Sequence, residues 1–309
     1  MSASTVTQVG LGTAALAGLF EETDAATARA TVDRAWELGI RYFDTAPSYG
    51  SGLAEQRLGE ALRGRPRADF VVSTKVGRLL RPGAPEPMFK GAPPLGPVVD
   101  FTPDGVRRAM AESLERLRLD RVNIVFIHDP DDYIEHGIAV VPVLRDMGAE
   151  VGVGTTSVQT ALAFARDSEI DRVMIAGRYT PLDPSAGEVL LELCQRRGIS
   201  VTAAGVFNSG LLSGDSTFDY QLPPVALIER TRQLAAMCER YAVPLEALAL
   251  QFPLRNPAVS RIVIGPRTPA ELEEDIGLLA HPIPDDLWLD PLTPSTVNGL
   301  PNRPTGGLA

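Results

Sequence analysis

The chain has 309 residues, 44% of them hydrophobic, and a formal net charge of −10 from 29 Lys and Arg against 39 Asp and Glu. That apolar content excludes a wholly disordered chain, and the length suits one large α/β domain or two of average size. The acidic surplus argues against wholesale nucleic-acid binding, which needs a basic surface to neutralise phosphates, but it permits a local cationic pocket. Residues 1–10 lack the basic start and apolar run of a secretory signal, and no apolar stretch approaches the roughly 20 residues needed to span a bilayer. The two cysteines, Cys194 and Cys238, read as buried thiols in a reducing compartment rather than as a disulfide. A soluble, cytoplasmic protein with no membrane and no nucleic-acid partner is the expectation; nothing in the sequence speaks to oligomeric state.

Strand and helix patterns alternate along the chain. A first strand is predicted at 6–11 and a helix at 24–38, with Thr23 or Asp24 as N-cap and Gly39 as its stop. A second strand at 40–43 precedes a helix at 53–63, and a third strand at 70–75 precedes a long Pro- and Gly-rich loop, 76–100. A loop of that length in a compact domain is usually functional. Thr102 caps a helix that has Pro103 at its first position and runs to about Arg118. Further strands are predicted at 122–127, 151–154, 172–176, 199–204 and 261–264, with helices at 140–147, 157–166, 185–197, 227–241, 245–252 and 269–279. The strands are apolar on both parities, as strands covered on both faces are. Eight strand–helix units predict a single (β/α)8 TIM barrel over residues 1–309, with an irregular tail from about 282.

Barrel enzymes carry their chemistry at the C-terminal ends of strands. Asp44 ends the second predicted strand, Lys75 the third and His128 follows the fourth, while Tyr49 lies five residues past Asp44. A carbonyl that accepts hydride needs a proton at its oxygen, and a tyrosine can give it. An unperturbed phenol titrates near ~10, which a neighbouring ammonium corrects by favouring phenolate. A carboxylate holds that ammonium in place, and an imidazole N–H orients the substrate oxygen. Singly, each of these four residues is better explained by turns, packing or snorkelling; together, at adjacent strand ends, they point to a site.

With these residues the chain resembles the aldo-keto reductase family: GIRYFDTAPSYG at 39–50, EQRLGEAL at 55–62, Ser73-Thr74-Lys75 and Ile127-His128 match its motifs. The resemblance implies a (β/α)8 barrel and metal-free, NAD(P)-dependent interconversion of carbonyl and alcohol, with Asp44, Tyr49, Lys75 and His128 as the catalytic set. Segments 73–82, 91–95, 128–132, 176–180 and 205–212 are similar to the branch holding D-threo-aldose 1-dehydrogenase, L-fucose dehydrogenase and pyridoxal 4-dehydrogenase. That branch oxidises a cyclic hemiacetal to a lactone, which implies a carbonyl, sugar or pyridoxal-like substrate, with Tyr49 as the base.

The same resemblance implies cofactor positions. Phe207, Asn208, Ser209, Gly210 and Leu212 match the loop over the pyrophosphate; Gly265, Arg267, Glu271, Glu274 and Asp275 match the adenosine-phosphate segment. Arg267 is a candidate for a 2′-phosphate or for stacking on adenine, whereas Glu271 and Asp275 stand where many NADPH-preferring members have Arg and Asn. The cofactor is NAD or NADP, with a slight lean to NAD, because a carboxylate repels a 2′-phosphate and accepts from a free ribose hydroxyl. Gly154-Thr155, Ala176 and Ala204 depart from the residues many members use to hold the nicotinamide; Thr155, Thr156, Arg178 or Phe207 are the candidate substitutes.

Residues 10–15 match a relaxed dinucleotide fingerprint, but no helix is predicted to start there, so a turn at the barrel mouth is the better reading. Asp129, Asp131 and Asp132 read as turn residues or sugar contacts rather than a cation site, and no metal is expected. Trp288 is a candidate aromatic wall for substrate. Alternatives to an aldose dehydrogenase are a ketoreductase of a bulky secondary metabolite, a pyridoxal 4-dehydrogenase, or a non-catalytic cofactor-sensing protein.

Overall fold

Short runs of Val, Ile and Phe that show no polar parity can bury both faces only inside a closed or doubly covered sheet. The computed structural model, which describes residues 6–219 and 221–294, shows how. Its strands in chain order are β1 (Val9–Gly12), β2 (Tyr42–Asp44), β3 (Val71–Val76), β4 (Arg78–Pro82), β5 (Leu95–Val99), β6 (Ile124–His128), β7 (Glu150–Thr155), β8 (Arg172–Ala176), β9 (Ser200–Ala204) and β10 (Val259–Ile264). β4 and β5 pair only with each other; the remaining eight close into one all-parallel barrel, with β10 hydrogen-bonded back to β1. The chain therefore has the (β/α)8 fold.

The helices are α1 (Ala25–Glu37), α2 (Leu53–Leu62), α3 (Pro103–Leu117), α4 (Ile134–Ala139), α5 (Val141–Arg145), α6 (Val158–Asp167), α7 (Glu192–Arg197), α8 (Val225–Arg240), α9 (Leu245–Gln251), α10 (Pro269–Leu279) and α11 (Asp285–Leu289). Four begin on side-chain caps: Asp24, Thr102, Ser157 and Thr268 accept from the N–H three residues on, satisfying donors that a helix start leaves free. Tyr42, Ile124, Phe126, Met174 and Val263 form one apolar cluster within the barrel, and a larger one joins strands to helices. Cys194 and Cys238 are free thiols, pushed up to about 12 and about 11 by burial.

Several stretches differ from the sequence expectation, among them α4, which forms where no helix is predicted. Segment 76–100 is not simply a loop: β4 and β5 build an antiparallel ribbon there. Gly77, at φ 103, turns the chain out of β3, and a Cβ on it would overlap the Phe101 ring. Pro97 lies in β5, tolerated because a two-stranded ribbon has free edges; the prolines masked the alternation. The helix predicted at 185–197 opens with a π turn at Gly187–Leu191 before α7. The tail contains α11, whose Leu287 and Trp288 are buried. Trp288 lies under the Arg255 guanidinium, 4.3 Å from its ring centroid, and not at the cavity described below. The rest of that tail, from 295, lies outside the described residues. After β1 comes a 3-10 turn at Ala15–Ala17 rather than a dinucleotide-binding helix.

Candidate active site

Parallel register brings the strand ends to one rim. Gly12 pairs with Asp44, Asp44 with Ser73, Lys75 with Phe126, His128 with Gly154, and Ala176 with Ala204. At that rim opens a cavity of about 400 Å³, lined by Asp44, Tyr49, Lys75 and His128 among others. The volume lies within the usual range for small-molecule sites. Tyr49 reaches it from a turn after β2 in which its N–H donates to the Ala46 carbonyl at 3.2 Å.

Lys75 Nζ donates to Asp44 Oδ2 at 2.7 Å and to the Thr45 carbonyl at 2.9 Å, and Asp44 Oδ1 accepts from Ser73 Oγ at 2.7 Å. Both charges are buried, Lys75 at 2% and Asp44 at 4% side-chain exposure. Burial disfavours the ammonium, but Asp44 and Tyr49 outweigh it and leave Lys75 more basic than a free lysine. Its Nζ lies 4.6 Å from the centroid of the Tyr49 ring. Burial raises the Tyr49 phenol, Lys75 opposes the rise and Asp44 adds to it, for a net upward shift. His128, edge-on to Tyr49 at 6.1 Å between centroids, is held well below the usual imidazole range by burial, then by Arg78 and Lys75. It is a neutral imidazole at physiological pH. The arrangement can exchange a proton at Tyr49 and donate a hydrogen bond from an uncharged His128.

Glu55, in the α2 motif, stands behind this group. Fully buried, it accepts from Thr74 Oγ1 at 2.7 Å and from Arg116 Nε at 2.6 Å, tying β3 to α3.

Arg78, Glu86, Leu19, Phe20, Met88 and Phe89 of the cavity wall are not singled out by sequence, whereas Asp129 reads as a turn residue or sugar contact. Arg78 on β4 donates to Asp129 Oδ2 at 3.3 Å, and that oxygen is 3.5 Å from His128 Nε2. Asp129 takes a left-handed φ of 40, uncommon outside glycine, and burial raises its carboxyl against the pull of Arg78. Glu86 is raised in the same way. Leu19, Phe20, Met88 and Phe89 supply an apolar side, with Phe89 stacked on Tyr49 at 6.1 Å. Only the folding of the β4–β5 ribbon brings residues 86–89 here. Asp131 accepts from Thr155 Oγ1 at 3.0 Å and Thr160 Oγ1 at 2.7 Å, which makes it a loop clamp.

The sequence-derived cofactor residues divide. Phe207, Ser209, Gly210, Gly265 and Thr155 line the cavity, as does Thr156. The Thr155 hydroxyl is already engaged by Asp131 and by the Ser157 N–H at 2.9 Å. Others sit off the cavity wall. Asn208 is buried, donating to the Gly177 carbonyl at 2.8 Å and accepting from Thr180 Oγ1 at 2.6 Å, so its amide bridges two loops. Leu212 is fully buried in the apolar core. The Arg178 guanidinium pairs with Asp219, with Asp183 3.6 Å away. The Arg267 guanidinium is turned onto the carbonyls of Leu19 and Glu21 and the Thr23 hydroxyl. Glu271 accepts from the Arg267 N–H at 2.8 Å. Asp275 is pushed up to about 7 by burial and by Glu271 and Glu274.

Gly154, Ala176 and Ala204 add nothing larger than a methyl to the cavity lining at the ends of β7, β8 and β9. Ser209 and Gly210, both at positive φ (58 and 99), turn the backbone along its edge, the kind of close approach phosphates use.

The chain is similar to known proteins along most of its length. The profile of the Aldo/keto reductase family matches residues 8–289. D-threo-aldose 1-dehydrogenase of a Pseudomonas species is 39% identical, with 91% of this chain and 92% of the relative covered. Pyridoxal 4-dehydrogenase of Microbacterium luteolum is 37% identical, with 92% of each covered. A holo-form aldo-keto reductase from Bacillus halodurans superposes with a TM-score of 0.73 at 25% identity, over 96% of this chain and 95% of its own. The chain belongs to the aldo/keto reductase family and is an NAD(P)-dependent oxidoreductase.

Proposed function

We propose that the protein oxidises the hydroxyl-bearing carbon of a cyclic hemiacetal, an aldose in the first instance, to a lactone, with NAD preferred over NADP. The carrying observation is the mixed lining of the cavity. Arg78, Glu86 and Asp129 offer charged hydrogen-bonding groups, and Leu19, Phe20, Met88 and Phe89 apolar surface. A pyranose has the matching form, with hydroxyls at its edge and an apolar C–H face. The similarity to D-threo-aldose 1-dehydrogenase supports the same reading. A pyridoxal-like hemiacetal is the second reading, favoured by the Phe20 and Phe89 rings and by the similarity to pyridoxal 4-dehydrogenase.

Bound nicotinamide supplies the hydride acceptor. The Tyr49 oxygen takes the hydroxyl proton as the C–H bond delivers hydride, so a carbonyl forms and no metal is needed. Lys75 stabilises the phenolate that does this, Asp44 and the Thr45 carbonyl hold Lys75, and neutral His128 donates to the reacting oxygen. Phe207, Ser209, Gly210, Thr156 and Gly265 would hold the cofactor along the cavity. For cofactor choice, the Arg267 guanidinium is engaged by Leu19, Glu21 and Thr23, which leaves Glu271 and Asp275 as the deciding carboxyl groups of the adenosine-phosphate segment. A 2′-phosphate meets their repulsion, while a free ribose hydroxyl meets an acceptor.

The experiment follows reduced-nicotinamide absorbance with NAD and NADP against L-fucose, other aldoses and pyridoxal. Oxidation of an aldose with higher kcat/KM for NAD is expected; turnover confined to bulky apolar carbonyls would overturn the reading. In parallel, Tyr49→Phe should lower kcat by about 10²–10⁴-fold, the range of general acid–base catalysis, with nucleotide affinity and melting temperature retained. Near-normal turnover in that variant rejects the role of Tyr49.

A further inference from the structure

Arg267 is fastened at both ends. Its N–H donates to Glu271 on α10, and its carbonyl accepts from Thr31 on α1 at 3.1 Å. Its guanidinium spans to the segment after β1: Nη1 donates to the Glu21 carbonyl at 2.6 Å and Thr23 Oγ1 at 3.0 Å, and Nη2 to the Leu19 carbonyl at 2.8 Å. The Glu21 carboxylate lies 3.7 Å from Nε, and the side chain is 21% exposed. A guanidinium delivers such bonds from a rigid fork, so three acceptors on one segment fix both its position and its orientation.

That segment forms part of the cavity wall and is joined to the ribbon tip. Phe20 N–H donates to the Met88 carbonyl at 2.7 Å, and Lys90 N–H to the Gly18 carbonyl at 2.8 Å. Leu19 and Phe89 form an antiparallel bridge. Gly18, at φ 91, permits this approach: a Cβ there would lie 2.2 Å from the Lys90 carbonyl. Phe20 has φ 63 and is 44% exposed. A bulky residue in the left-handed region costs free energy, so the segment needs outside restraint to keep this shape. Beyond the bridge, Phe89 stacks on Tyr49. The bonds form a continuous path from the β10 loop to the wall over Tyr49.

We propose that Arg267 is a positioning residue for the substrate wall, clamping residues 19–23 and through them the tip of the β4–β5 ribbon, rather than a ligand of the cofactor phosphates. A 2′-phosphate that recruited this guanidinium would take it from three acceptors and loosen the wall. The adenosine end and the substrate end thus compete for one side chain.

The test compares the full-length wild type with Arg267→Ala and Arg267→Lys. Amide hydrogen exchange is read at Phe20 and Lys90, and NADH and NADPH affinities by nucleotide fluorescence. KM is measured for whichever aldose or aldehyde the wild type turns over. In Arg267→Ala the two amides should exchange about tenfold faster or more through local opening. KM should rise about tenfold, with kcat changed less, and NADPH affinity should stay within about threefold. Lysine, a single-point donor, should restore part of the protection. Unchanged exchange at Phe20 and Lys90, or a loss of NADPH affinity about tenfold or greater with exchange preserved, overturns the proposal. Should the alanine variant fail to fold, the lysine variant gives the same readouts: exchange at Phe20 and Lys90 faster than in the wild type is expected, and unchanged exchange overturns the proposal. Exchange and nucleotide binding need no known substrate, so failure of the aldose assignment is distinguishable from failure of the clamp.

Discussion

Lys75 carries its ammonium where water is replaced by Asp44, the Thr45 carbonyl and the Tyr49 ring. Breaking such a pair strands the partner, so Lys75→Met should cost about 3–5 kcal/mol, the usual penalty for an uncompensated buried charge, measurable by denaturant unfolding. Its effect on pH dependence has a definite sign. In the proposed mechanism oxidation uses the Tyr49 phenolate and reduction the phenol, so the oxidation rate climbs with pH and the reduction rate falls. Lys75 pulls the Tyr49 pKa down against burial, so the variant's residual profiles should move to higher pH in both directions. Profiles superimposable on the wild type would show that the ammonium does not tune Tyr49.

Among the elements, α2 joins the rim to the outer layer through Glu55. A fully buried carboxylate is stable here because Thr74 and Arg116 each donate to one of its oxygens. Glu55→Ala leaves Arg116, 15% exposed, without its partner. A loss of about 3 kcal/mol is expected, as for other broken buried pairs, with KM for substrate changed less than stability. The sequence marks this helix by its motif but does not say that Glu55 is structural, since the partners come from β3 and α3. The β4–β5 ribbon teaches the same lesson. Its prolines and glycines read as loop, while the pairing of Arg78 with Val99 and of Pro82 with Leu95 is a register that only the folded chain reveals.

Across the whole molecule, the surplus of acid is concentrated to effect on α10. Asp275 titrates at about 7 when folded against 3.8 as a free group. A raised folded-state pKa contributes stability that is fully present below 3.8 and is lost as pH rises through about 7. Asp275→Asn should therefore raise the melting temperature by a few degrees at pH 8 and leave it nearly unchanged at pH 4. An equal gain at both pH values would show that charge is not the cause. Among the described residues no helix is long and apolar enough to cross a membrane.

By itself, the sequence determined the barrel and the four rim residues. Strand period, helix caps and the spacing of Asp44, Tyr49, Lys75 and His128 are local properties, and local physics writes them directly into residue order. It left open which polar side chains remain available to a ligand, because a hydrogen bond to a distant loop has no signature along the chain. Only the tertiary structure decided that Asn208 bridges loops, that Leu212 fills core, that Arg178 pairs with Asp219, and that Arg267 reaches back across 248 positions to Leu19. The physical reason is that donors and acceptors are allotted by proximity in space, and the closing of β10 onto β1 brings the segments that follow them side by side.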